Sequence, residues 1–435
     1  MTQSHRVRGR ALVVSGLAAA GLLAVVARPA NAAALLAEDF RGDSAPAGVW
    51  SAVGADLQRQ PCLTAATTPV PGSLKPCRAK AGDQPGDGAF RLTDNTRDQR
   101  GVLLLNKQIS AAAGLHIAFD MFQYGSSTGR GADGISFFLL DGGQESVQPG
   151  RSGGALGYDG MPGAIAGVGF DAHGDFSDGA VLGSGPGRQP DHVVLRGAAS
   201  TQWRYLTGGT SPVPLAVGEA TTRAAARRTV NVDLSPDGVL RVHIDFHDGQ
   251  GMRSVLHDVP LNGLPGQPPL PPTLKLGFTA ATGADTDFHE IRDFSVGVLD
   301  PELVTTVSSD ATFHPGTDGV FDVSVGNDAS AGPTSQQITV TVPVPEGLAV
   351  KSAAGDGWSC RVQAGQIRCT RPGGGADALP PGQSYPPIEV TLAIPGDGSG
   401  STVIQAQADT PNGHRTGGAA SDPVTIPIEP ARSRR

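Results

Sequence analysis

Basic residues, cysteines and long apolar runs are all scarce in this chain, and each shortage excludes something. Lys and Arg number 33 against 41 Asp and Glu, a formal charge of −8, whereas nucleic acid selects a basic face; nucleic acid is not an expected partner. After the first thirty residues no second long apolar run occurs, so membrane insertion is not expected. Charged residues make up only 17%, without the long charged repeats of helical proteins. The four cysteines lack the C-x2-C spacing of a zinc site. They fall instead into two close pairs, Cys62 with Cys77 and Cys360 with Cys369. Local pairing into two disulfides is the natural reading for an exported chain, although four cysteines allow three connectivities.

Export is read from the amino terminus. Arg6, Arg8 and Arg10 precede an apolar run from Ala11 to Ala27, and Ala30-Asn31-Ala32 has the form of a cleavage signal. Residues 1–32 therefore read as a secretory signal peptide. Losing it with its four arginines makes the mature chain more acidic. The product is expected to be secreted, extracellular or held loosely at a cell surface.

What the chain has in quantity is glycine, 61 residues, and proline, 35. Many short apolar alternations between such breakers point to strands joined by turns, an all-β protein whose length suggests two domains or three. Expected strands are 115–122, 134–140, 165–170, 192–195, 229–233, 240–246, 273–278 and 290–296. Leu240, Val242, Ile244 and Phe246 should face inward after a Ser235-Pro-Asp-Gly238 turn. So many strands with so little helix suggest two packed sheets over residues 33–298. The proline-rich stretch 265–272 reads as a stiff loop within that domain. The pattern restarts near Leu299-Asp300-Pro301-Glu302, and 303–429 reads as a smaller sandwich of about seven strands, including 320–325, 337–342, 388–394 and 402–408. Residues 430–435 form a polar tail.

Two segments carry candidate chemistry. In Gly131-Ala132-Asp133-Gly134-Ile135-Ser136-Phe137-Phe138-Leu139, Asp133 stands beside a glycine at the lip of a strand whose Ile135, Phe137 and Leu139 alternate inward. A lone carboxylate there can accept from two ligand hydroxyls at once, or it can cap its own turn. In Phe170-Asp171-Ala172-His173-Gly174-Asp175 the Asp171 carboxylate, the His173 carbonyl and the Asp175 carboxylate can converge on a hard cation such as calcium. Asp178 and Asp191 could add to that shell. An acidic glycine-rich turn with solvated aspartates is the alternative.

Four segments in order resemble the legume-type (L-type) lectin family and its bacterial secreted relatives: A-D-G-I-S-F-F-L at 132–139, G-G-A-L-G-Y at 153–158, G-V-G-F-D-A-H-G-D at 167–175, and L-G-F-T-A-A-T-G at 276–283 followed by H-E-I-R-D-F-S-V at 289–296. The resemblance implies a concanavalin-like jelly roll whose loops at one end bind a glycan. It implies Asp133 as sugar acceptor, a backbone donor near Gly154, the His173 ring against the sugar, and Asp175 as both calcium ligand and sugar contact. The turn Thr282-Gly283-Ala284-Asp285 would close the site through Gly283 and Ala284. Departures are plain: Gly169 stands where plant members carry a metal-binding Glu, Ala180 where they carry Asp, and Asp175 where Asn is usual. His192 resembles the family's downstream metal His, although a lone His before a strand is more often structural. Calcium is thus the implied cofactor, with Asp178 or Asp191 as replacement ligands.

The carboxy-terminal segments G-x-x-G-V-F-D-V-S-V-G-N, P-V-P-E-G-L, G-D-G-W-S-C, I-R-C-T-R and L-P-P-G-Q-S-Y-P-P-I-E-V-T-L resemble the Ig-like conserved-repeat domains of bacterial surface proteins. Trp358 is expected near the second disulfide. Two rivals to a lectin remain. A structural or adhesive scaffold with a degenerate sugar site is favoured by the departures above. A glycoside hydrolase of the same fold needs paired carboxylates such as E-x-D-x-x-E, which the chain lacks, so no catalysis is expected.

Overall fold

The computed structural model describes residues 34–55, 59–77, 82–129, 131–309, 312–363, 365–411, 413 and 419–430. The signal peptide assigned to 1–32, and the tail beyond residue 430, lie outside the described residues. No helix among them is long and apolar enough to cross a membrane.

The chain is all-β, and its amino-terminal part is a sandwich of two eight-stranded antiparallel sheets. In one sheet the neighbours run Tyr205–Thr210, His192–Arg196, Ala164–Asp171, Gly134–Asp141, Thr273–Ala281, Arg100–Leu105 and Trp50–Gly54, with Ile109–Ser110 paired to Thr273–Ala281. In the other they run Met252–Pro260, Val239–Asp245, Arg227–Leu234, Leu115–Tyr124, Phe288–Val298, Phe90–Thr93 and Cys62–Leu63, with Leu36–Glu38 beside Phe288–Val298. The chain passes between the sheets in runs: Gly134–Asp141 to Tyr205–Thr210 stay in the first, Arg227–Leu234 to Met252–Pro260 in the second, and Thr273–Ala281 and Phe288–Val298 return to the first and second in turn, the wiring of a jelly roll.

Alternation explains the core. Leu240, Val242, Ile244 and Phe246 all point inward. Phe119 sits edge-on or stacked against Phe137, Phe170 and Phe278, whose ring in turn meets Phe294. One alternation is only half of what happens. Ser136, Phe138 and Leu140, expected on the outer face of their strand, are also buried. Phe138 packs with Leu156, Tyr158, Phe176 and Leu182 in a second apolar layer, because the loops around 153–161 and 176–182 fold over that face of the sheet.

Register positions the loops. Gly134 pairs with Asp171 on one side and with Ala281 on the other. The ends of three neighbouring strands therefore lie level, and the segments following or preceding them must meet at one rim.

The second sandwich has its own core. One sheet holds Leu303–Ser308, Asp318–Asn327, Ile388–Ala393 and Ala349–Ala354; another holds Ser359–Gln363, Gln366–Arg371, Ile338–Pro343, Gln407–Asp409 and Ala419–Ala420. The strand expected at 402–408 is two. Gly400–Ile404 pairs with Val424–Ile428 while Gln407–Asp409 pairs with Ile338–Pro343, so the chain changes sheets between them. Trp358 is buried in the same cluster as Cys369. Both disulfides join the local partners, Cys62–Cys77 and Cys360–Cys369.

Candidate functional site

Asp133 is positioned from three sides. Its N–H donates to the Ala281 carbonyl, and its own carbonyl accepts from Ala172 and His173. The Ala132–Asp133 peptide is cis. Its side chain is 4% exposed, and Oδ2 has no hydrogen-bond partner. Burial, with the carboxylates of Asp175 and Asp285 nearby, pushes the Asp133 carboxyl up to about 7. The Gly283 backbone N–H partly offsets that burial, but a buried acceptor left without a donor is costly.

Glycines make the room. A Cβ on Gly283 would lie 3.0 Å from Asp133 Oδ2, and one on Gly154 would lie 2.3 Å from the Asp175 Cβ. Gly153 N–H donates to the Thr282 carbonyl. Thr282 Oγ1 donates to the Thr96 carbonyl and accepts from Gln99 N–H, while Asp98 N–H donates to the Gly283 carbonyl. The rim thus joins the 94–99, 133, 153–154, 171–175 and 282–285 segments. Gly283 is half-buried and Ala284 exposed.

Asp171 differs from its expected role. Its Oδ1 accepts from Gly174 N–H and its Oδ2 from Phe176 N–H, both at 2.7 Å. It is fully buried, and burial raises its carboxyl well above the usual range against those two backbone donors. Asp171 staples the loop and does not face the cluster. Asp178 accepts from Ala180 N–H at 2.8 Å as the cap of the short helix Gly179–Leu182. Asp191 accepts from Leu215 N–H at 2.8 Å. His192 is buried with Nδ1 3.2 Å from Thr210 Oγ1, and burial lowers its basicity. None of these three is brought to Asp133. The absent Glu at 169 also has a physical reason: a Cβ on Gly169 would lie 2.3 Å from the Phe176 ring.

The structure does bring together Asp133, His173 and Asp175, whose ligand atoms lie within 4.8 Å of one another, a grouping able to hold a metal ion. His173 Nδ1 is 3.3 Å from Asp175 Oδ2, and His173 Nε2 is 3.8 Å from Asp285 Oδ2. One member went unnoticed in the sequence. Arg188 Nε donates to the His173 carbonyl at 3.1 Å and lies 3.2 Å from Asp175 Oδ1; Arg188 Nη2 lies 2.9 Å from His173 Nε2. A guanidinium only donates, so His173 Nε2 is the acceptor in that contact, while His173 Nδ1 has no hydrogen-bond partner. The arm reaches this point because Gly174, at φ 104°, has no Cβ to meet Gln189 and Pro190, and Gln189 N–H donates to the Gly174 carbonyl. Its only sequence signal is a lone cation in Gly183-Ser-Gly-Pro-Gly-Arg-Gln-Pro190.

Calcium takes six to eight oxygens. The cluster offers two carboxylates and an imidazole nitrogen, with Asp171 turned away, so these residues fit a divalent ion only as a partial shell completed by water.

No family model matches the chain, and no curated protein matches it. Among solved structures, it is similar to the VIP36 exoplasmic/lumenal domain in its Ca2+/Man2-bound form at 15% identity and TM-score 0.39, covering 61% of this chain and 87% of that one. It is also similar to the Lotus tetragonolobus seed lectin at 16% identity and TM-score 0.41, covering 60% and 97%. The winged bean acidic lectin complexed with methyl-alpha-D-galactose stands at 16% identity and TM-score 0.39, again with 60% and 97% covered.

Proposed function

We propose that this chain is an exported carbohydrate-binding protein without catalysis, whose amino-terminal sandwich takes a glycan at the Asp133 rim and whose Ig-like second sandwich serves as spacer or adhesion module. The observation that carries this reading is the buried, unpartnered Asp133 Oδ2 amid glycines at the level ends of three strands. A carboxylate held this way makes a strong charge-assisted bond to a sugar hydroxyl. The order of the four lectin-like segments supports the same end of the fold. Two disulfides fit an oxidising compartment outside the cytosol.

A ligand must reach Oδ2 past the 282–285 turn, where a Cβ on Gly283 would lie 3.0 Å from it. Asp133, His173 and Asp175 would hold calcium, which when bound supplies positive charge against the crowded carboxylates. Affinity for a single sugar is expected to be modest, since hydroxyl contacts replace water contacts and little apolar area is buried. The test is a glycan array with the purified mature chain and with Asp133→Ala, run in calcium and in chelator. Wild-type binding that the variant lacks supports the reading; no binding in either condition favours a structural scaffold.

One observation favours a second reading, hydrolysis. The Asp133 and Asp175 ligand atoms lie within 4.8 Å, and retaining glycosidases separate their carboxyls by about 5–5.5 Å. Yet both carboxyls flank the same His173, and Arg188 already engages one of them. Release of nitrophenol from aryl glycosides should stay at the level of buffer.

A further inference from the structure

We propose that Arg188 is the resident cation of this site, so that the glycan-binding rim is formed without calcium and calcium enters only by displacing the Arg188 guanidinium. This rests on the carbohydrate-binding reading for its first half and on the cluster geometry alone for its second.

In the loop 171–175, a carboxylate, a carbonyl and a second carboxylate at alternate positions should converge on a cation. Two of those three oxygens do converge. The His173 carbonyl and Asp175 Oδ1 meet at one point, and the point is occupied by Arg188 Nε, 3.1 Å from the first and 3.2 Å from the second. The third oxygen pair, on Asp171, is taken up by Gly174 and Phe176 N–H groups. A cation therefore sits where calcium was expected, and it is covalently part of the chain.

Charge balance supports the seat. Asp175 and Asp285 both raise the Asp133 carboxyl at the rim, and His173 Nδ1 lies 3.3 Å from Asp175 Oδ2. Among the described residues, Arg188 is the arginine hydrogen-bonded within this cluster. Asp133 adds an independent observation, since one of its carboxylate oxygens belongs to the cluster and its buried Oδ2 lacks a partner. The oxygens that could complete a calcium shell are also engaged elsewhere: Asp178 accepts from Ala180 N–H and Asp191 from Leu215 N–H.

The seat is also reversible. The Arg188 side chain is 49% exposed, and an ion pair so open to water is weak. It hangs from a loop whose Gly183, Gly185 and Gly187 all have positive φ, and its position depends on the close approach of Gly174 to Gln189. A divalent ion at high enough concentration can take its place by binding the same oxygens, and the two cations exclude each other by charge and by volume.

The experiment compares the full mature chain with Arg188→Gln and Arg188→Met by calorimetric titration of calcium chloride, and measures glycan binding in chelator and in calcium. Melting curves show that each variant is folded, and Arg188→Met, which removes the same charge, serves with the same expected outcomes if the glutamine variant does not fold. Arg188→Gln should bind calcium about tenfold tighter than wild type, because a unit positive charge a few ångströms from the ion has been removed. Wild type should bind glycan equally in chelator and in calcium. Arg188→Gln should lose glycan binding in chelator and regain it in calcium. Unchanged or weaker calcium affinity in Arg188→Gln overturns the seat. Wild-type glycan binding abolished by chelator overturns the metal-free rim while leaving the lectin reading intact. Absence of glycan binding in all conditions sinks the lectin reading and, with it, the first half of the proposal; the calcium titration then still decides the second half.

Discussion

Replacing Asp133 with Asn should weaken binding and strengthen the fold, and the opposed signs separate a functional residue from a structural one. The carboxyl is pushed up to about 7 from 3.8, first by burial and then by Asp175 and Asp285. For an acid raised in the folded state, the ionised form is what folding disfavours. Stability is then fullest at low pH and declines as pH climbs from the unfolded value near 4 through 7. Each tenfold change in proton affinity between the folded and unfolded chain is worth about 1.4 kcal/mol, so the decline is on the order of 4 kcal/mol at most, and we take about 2 as the working figure. Asp133→Asn removes that ionisation and should exceed wild type by about 2 kcal/mol at pH 8 and match it near pH 4. The same change turns a charge-assisted acceptor into a neutral one. Losing a bond of about 1.5–3 kcal/mol weakens a glycan by roughly 10- to 100-fold. Urea melts at pH 4 and pH 8 in chelator, with glycan titration alongside, measure both. A variant that melts lower at pH 8 and binds as well as wild type would make Asp133 a turn-capping residue with no part in recognition.

Three further outcomes follow from the same geometry. Asp171→Ala orphans the Gly174 and Phe176 N–H groups around a fully buried side chain, and should cost about 2–4 kcal/mol in denaturant melts, calcium present or not. Gly154→Ala places a methyl 2.3 Å from the Asp175 Cβ; it should reduce glycan binding by at least tenfold while lowering stability by about 1–3 kcal/mol. Asp287, buried just behind Gly131, has its carboxyl pushed up to about 8 by burial. Between pH 4 and 8 the wild type should therefore lose stability that Asp287→Asn retains, with the gap closing below pH 4; melting temperatures across that range check it.

How much of this was legible in the sequence differs by element. Strands such as Val239–Asp245 could be read because each apolar residue in an alternation has one place to go, and that place is the core. The two disulfides were legible for a related reason, since close spacing makes local pairing natural. The second apolar layer over Phe138 was not, because nothing local distinguishes an outward Phe that faces water from one that a distant loop will cover. The split at Ile404 and Gln407 was hidden too, as strand alternation does not record which sheet a residue joins. At the site, the segment carrying Asp133 and the loop carrying His173 and Asp175 could be named in advance. Their partners could not. Asp171 turns inward because its own loop's N–H groups need an acceptor, and Arg188 arrives from fifteen residues beyond His173 through a glycine-rich loop with no periodicity to follow.

Glycan recognition at the Asp133 rim is decided by a crystal structure of the mature chain with a glycan selected from the array. A sugar is expected at the rim with at least one hydroxyl at hydrogen-bond distance, about 2.7–3.0 Å, from an Asp133 carboxylate oxygen, flanked by Gly154 and the Gly283 turn. A glycan bound elsewhere, for instance in the cavity of about 160 Å³ lined by Arg59, Lys75 and Arg91, with Asp133 still covered, would contradict it.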